Sequence, residues 1–127
     1  MSRTIKFRAW SEKIKAWVKI ENACCLHSDG TLSVLDGFKV QQSTGEHDKK
    51  FKDIYEGDII NVYGVSIIFK NPDEGKLTSV QEVYWNEDEF AWYTRKSKDS
   101  EFPTSLGCYL RNIEVIGNIF ENPELIK

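Results

Sequence analysis

What most limits the fold of this chain is the rhythm of its apolar residues. They come in short period-two runs and never in a sustained helical stripe. In "RTIKFRAW", Ile5, Phe7 and Ala9 point one way while Lys6 and Arg8 point the other. Alternation of this kind sets successive side chains on opposite faces of a half-buried strand. Ser11 and Glu12 break the run, and Trp17, Val18 and Ile20 resume it, so "SEKIKAW" predicts the turn of a hairpin returning into a second strand. The clearest hairpin is "SVQEVYWNEDEFAWYT". Val83 and Trp85 alternate into the polar loop "NEDE", and Phe90, Trp92 and Thr94 alternate out of it. A loop of that length fits a type I turn between strands.

The remaining segments have the same character. "SDG" ending at Gly30 and "DG" ending at Gly37 are turn signals, because glycine reaches positive φ without a Cβ clash. Between them "TLSVL" is a short β-rich run, with a helix over Leu32 to Leu35 as the alternative. "FKVQQS" alternates again. "TGEHDKKFKD", from Thr44 to Asp53, has almost no apolar residue except Phe51 and reads as a loop. In "IINVYGVSIIFK" the alternation of Ile60 and Val62, then of Val65, Ile67 and Phe69, is interrupted by Gly64 as a turn or bulge would do. "NPDEGK" is a further turn. Pro103 and Gly107 break a polar stretch, "NIEVIGNIF" is a last strand, and "ENPEL" closes it as a turn or a single helical turn. No internal repeat stands out. The expected fold is mainly β: one barrel- or sandwich-like domain over residues 1–127, with about seven or eight short strands and little helix.

A chain of 127 residues can form one such domain and bury about two thirds of its unfolded surface without disulfides or metal. Aromatic residues make up 13% of it, which favours pleated surfaces where rings pack well. No run approaches the roughly 18 apolar residues of a membrane span, and "MSRTIKFRAW" has no apolar stretch of signal-peptide length. The expected location is therefore the cytoplasm in which the chain is made, without membrane association. Cys24, Cys25 and Cys108 are odd in number and form no CxxC, which reads as reduced thiols. The net charge of −3 conceals an uneven distribution. Arg3, Lys6, Arg8, Lys13, Lys15 and Lys19 stand against Glu12 alone near the N-terminus, and the acidic excess lies in the rest. Such an asymmetry suits an anion-binding face or complementary patches between copies of the chain.

Three constellations bear on chemistry. "DIYEGDII" gathers Asp53, Glu56 and Asp58, and a hard cation needs several converging oxygens. The spacing is not that of an EF-hand loop, and Asp and Gly entering Ile59, Ile60 and Val62 make a structural turn the better reading. Cys25 and His27 lie two apart on a candidate strand, where a small hydrophobe beside an exposed imidazole is the simpler account than a reactive pair. His47 lies in the charged loop. No GxSxG, HExxH, P-loop or GxGxxG motif occurs, so neither catalytic residues nor a metal or cofactor are expected. The third constellation is the basic, aromatic N-terminal hairpin of Lys6, Arg8, Trp10, Lys15 and Trp17. Its cations would neutralise phosphates and its rings would stack on bases. Against nucleic acid stands a pI near 5.4.

Three separated blocks carry a resemblance: "KFRAW", "STGEHDKKFKDIYEGDII" and "IEVIGNIFENPEL". In this order they resemble the YopX family of phage and prophage proteins. The matching positions are Thr44, Gly45, Asp48, Lys49, Glu56, Gly57 and Asp58, then Glu114, Val115, Ile116, Gly117, Asn118, Ile119, Asn122 and Pro123. The middle block departs in its charged turn, which in the family often has a glycine and where here Lys49 and Lys50 run into Phe51 and Lys52. The resemblance implies a mostly β fold, a phage or prophage origin and homo-oligomers, and it brings no catalytic residue. Gly45, Glu56, Gly57, Asp58 and Gly117 are expected to be structural turn positions. The function expected is that of a non-enzymatic accessory module that self-associates and binds a phage or host macromolecule. Nucleic-acid binding through the N-terminal hairpin is the alternative.

Overall fold

The computed structural model describes residues 5–63, 77–96, 103–108 and 112–126. The Gly64 interruption, the alternation at Val65, Ile67 and Phe69, and the "NPDEGK" turn lie outside the described residues. The chain packs as two compact units, Met1–Ser43 and Thr44–Lys127. Both are built of strands. Among the described residues there is no α-helix, and the helical pieces are short 3₁₀ turns such as Ile20–Asn22 and Pro123–Ile126.

In the first unit β1 (Phe7–Ser11) lies between β2 (Ala16–Val18) and the first part of β5 (Phe38–His47), antiparallel to both. Trp10 faces Trp17 across the β1–β2 hairpin with ring centroids 5.1 Å apart, edge to face. Ile20, expected to continue β2, opens a 3₁₀ turn instead. A separate two-stranded ribbon pairs β3 (Cys24–Leu26) with β4 (Leu32–Val34), so Leu32 is in a strand and not in a helix. Its turn is held by Asp29, whose Oδ1 accepts the Thr31 N–H at 2.9 Å and the Thr31 hydroxyl at 2.6 Å.

The second unit holds a five-stranded antiparallel sheet. Its order is β10 (Thr104–Ser105), β9 (Ala91–Arg95), β8 (Leu77–Asn86), β7 (Asp58–Tyr63), β11 (Ile113–Asn118). The end of β5 lies beside β6 (Asp53–Tyr55), and the chain turns from β6 into β7 at Gly57, whose φ is +82°. Ile54, Ile60, Val62, Val83, Leu106, Ile113 and Val115 form the core, with Trp92 packed on it. Each such side chain contributes about 1.5–3 kcal/mol when it leaves water.

The segment from Thr44, expected to be loop, is strand as far as His47. Its polar composition hid this. The buried Thr44 hydroxyl donates to the Ile54 carbonyl at 2.9 Å, and Gly45 has φ +83°, the left-handed conformation of a bulge glycine. The strands outnumber the seven or eight expected because several are only two or three residues long.

A repeat also emerges. "WSEKIKAW" at Trp10–Trp17 and "WNEDEFAW" at Trp85–Trp92 share Trp, a small polar residue, Glu, Ala and Trp at the same spacing. Both fold identically. The Trp side chains pair edge to face, at 5.1 and 5.0 Å, and the last loop residue is left-handed, Lys15 at φ 54° and Phe90 at φ 51°. The polar residue caps the loop in each. Ser11 Oγ accepts the Ile14 N–H, and Asn86 Oδ1 accepts those of Asp88 and Glu89.

Candidate functional site

The middle and final sequence blocks meet in the second unit through two buried carboxylates. Asp48 is 2% exposed. Its Oδ1 accepts the N–H groups of Lys50 and Lys52, and its Oδ2 that of Val115 on β11, each at 2.9 Å. Burial pushes its pKa up, but the N–H donors of Val115, Lys52 and Lys50 and the Lys52 charge outweigh this and hold it below the ordinary value. Asp58 accepts the Tyr55 N–H at 2.8 Å across the β6–β7 turn and the Asn118 side-chain amide at 3.2 Å. Asn118 Oδ1 in turn accepts the Phe120 N–H. At Gly117 an added Cβ would lie 2.5 Å from Asn122 Oδ1.

Of the residues singled out as turn positions, Asp58 and Gly117 take part in these contacts, and Gly45 and Gly57 have positive φ. Asp53 is exposed, Glu56 is half-buried, and Asp58 is enclosed. Among the described residues no three His, Cys, Asp or Glu side chains are grouped as a metal site. His27 pairs with Ser33 at 2.9 Å, not with Cys25.

The turn fixed by Asp48 has an unusual tip. Phe51 is 79% exposed and sits at φ 63° between Lys50 and Lys52. The His47 ring braces it at 5.0 Å. Lys50 pairs with Glu114 at 2.9 Å, and Lys49 lies 3.8 Å over the Tyr63 ring. Hydrogen bonding to Lys50 holds the Glu114 carboxyl below its ordinary range.

The N-terminal basic and aromatic residues form one cluster in the first unit. The Arg8 guanidinium lies 4.2 Å over the Trp17 ring, and its Nε donates to Gln41 Oε1 at 3.1 Å. Trp10 is only 4% exposed, so its ring is packing material and not a stacking platform. Lys15 pairs with Glu12 across the loop, and Lys6 is exposed.

The feature that sequence reasoning missed lies elsewhere in the first unit. Phe7, Ile20, Leu26, Leu32, Val34 and Val40 line an apolar groove of about 590 Å³. Among the described residues, Glu21 is the one charged residue on its wall, and Cys24 also lines it. Leu26 and Leu32 are 71% and 63% exposed. The register explains the gathering. Leu26 pairs with Leu32 and Cys24 with Val34, so the ribbon places apolar side chains beside one another. Alternation within β1 was readable. Which face the ribbon's apolar side chains would share was not, because it depends on a pairing six residues apart in sequence.

The fold, the two pinned blocks and the exposed groove define a small, mainly β protein. The description YopX protein matches residues 6–127, and the chain belongs to the YopX family. It is similar to the crystal structure of protein EF1440 from Enterococcus faecalis at 27% identity, with 99% of this chain and 100% of that one covered and a TM-score of 0.58. It is also similar to the X-ray structure of protein yopX from Bacillus subtilis at 19% identity, with the same coverage and a TM-score of 0.62. The second likeness shows the fold. No curated protein matches the chain.

Proposed function

We propose that this chain is a non-enzymatic binding module, a phage or prophage accessory protein of the host cytoplasm that associates with itself through the groove of the first unit. One observation carries the reading. Among the described residues, most exposed large apolar side chains belong to the first unit, and Phe7, Leu26, Leu32 and Val34 converge on one cavity. Scattered exposed leucines are ordinary on a protein surface, whereas a continuous apolar patch marks a contact site. Among the described residues the groove presents hydrophobic groups and one carboxylate, which suits burial against a protein surface and not phosphate or charge chemistry.

Sedimentation velocity tests this. The mass of the wild-type chain rises with concentration, and Leu26→Asp with Leu32→Asp weakens association by about tenfold or more, near 1.4 kcal/mol. Equal association in the double variant removes the groove from the reading. Nucleic-acid binding is the less favoured reading, because stacking on Trp17 requires Arg8 to leave its ring. Oligonucleotide titration is expected to show no salt-dependent change in Trp fluorescence. A change abolished by Lys6→Glu with Arg8→Glu reverses that preference.

A further inference from the structure

We infer that the occupant of the groove is Phe51 of a second copy of this chain, presented as a rigid knob by the turn that Asp48 fixes. The inference rests on the self-association proposed above and names the contact that makes it.

A knob must be exposed, apolar and already ordered, because ordering it on binding subtracts from affinity. Phe51 meets each requirement. It is 79% exposed, and its turn is fixed by three backbone N–H bonds to the buried Asp48 carboxylate. The His47 ring supports its own. It also occupies a left-handed backbone conformation that a bulky residue disfavours. Where a fold sustains that conformation for an aromatic ring held out in water, a role in contact is the physical motive. Aromatic side chains filling pockets are the commonest anchors of interfaces.

Phe90 offers nearly the same presentation, 80% exposed at φ 51°. Charge separates the two. Phe51 lies between Lys50 and Lys52, whereas Phe90 follows Glu87, Asp88 and Glu89. Among the described residues, the groove's only charged wall residue is Glu21. Lys50 is held by Glu114, so it is Lys52 beside Phe51 that is drawn to that carboxylate, whereas the acid-flanked Phe90 is repelled by it. The stems of the two lysines add apolar contact beside the ring. Each copy then offers one knob and one groove.

The test uses the full chain and four proteins in sedimentation velocity. These are wild type, Phe51→Gly, Phe90→Gly and Glu21→Lys. Glycine accepts the left-handed turn, so Phe51→Gly keeps the fold, and a retained melting temperature confirms it. Wild type associates. Phe51→Gly and Glu21→Lys each weaken association about thirtyfold or more, as loss of an aromatic anchor does. Phe90→Gly, the same backbone change beside acidic residues, associates as wild type does. An equimolar mixture of Phe51→Gly and Glu21→Lys forms pairs, because one partner keeps its groove and the other its knob. Wild-type association that survives Phe51→Gly overturns the knob while leaving self-association standing. Equal loss in Phe90→Gly overturns the selection by charge. A wild type that stays monomeric at every concentration overturns both the knob and the reading beneath it.

Discussion

Asp48 shows what a single side chain does here. Removing its charge leaves three backbone N–H groups facing an amide that has only one acceptor oxygen. Asp48→Asn is expected to cost about 2–3 kcal/mol near neutral pH, read from urea denaturation. The pH dependence follows from the direction of its shift. Its folded pKa lies below the ordinary 3.8, so the unfolded chain takes the proton first as pH falls. Stability from this group is complete above about pH 3.8 and is lost as pH drops through the folded value. In Asp48→Asn that part of the acid limb disappears, and an unchanged limb would refute the assignment. Phe51 makes the opposite point. Phe51→Gly removes the left-handed penalty and adds chain entropy to the unfolded state, for a net gain of about 0.5–1 kcal/mol in thermal unfolding. Neither role was legible from composition. "EHDKKFKD" reads as a solvated loop because its polarity is local, while the β11 N–H that Asp48 binds comes from Val115, 67 residues later.

At the scale of elements, hairpins were legible and junctions were not. The β8–β9 hairpin was visible because Trp85 and Trp92 sit on opposite sides of a polar loop, and they do pair. Its loop is displaced by one residue from the expected "NEDE", since Phe90 leaves the alternation to take the left-handed position. The β6–β7 corner was recognised as a turn from Gly57 and Asp58, but its lock to β11 was hidden. Asp58→Ala breaks both the turn bond and the Asn118 bond. A destabilisation of about 2–3 kcal/mol is expected, with self-association intact once the fold is restored by lower temperature. Asn118→Ala in the Asp58→Ala background should cost clearly less than Asn118→Ala alone, because the two share one bond. Additive losses in the double-mutant cycle would show that they act separately.

On the scale of the whole molecule, stability and contact are divided unevenly along the chain. The second unit has a continuous apolar core, whereas the large apolar side chains of the β3–β4 ribbon remain in water. A two-stranded ribbon is marginal by itself and needs a further surface on its apolar face. Backbone amides of such a ribbon open at low free energy, while those of central core strands open near the global value. Hydrogen exchange at rising protein concentration should therefore separate the regions. Leu26 and Leu32–Val34 gain protection as association proceeds, and the turn around Phe51 gains it over the same concentration range. Amides of β7, β8 and β11 stay protected throughout, because their burial owes nothing to a partner. Protection of the ribbon without the Phe51 turn would assign the groove to some other segment. Protection of neither would mean that the apolar face is left bare even in the associated protein, and that association runs through a different surface.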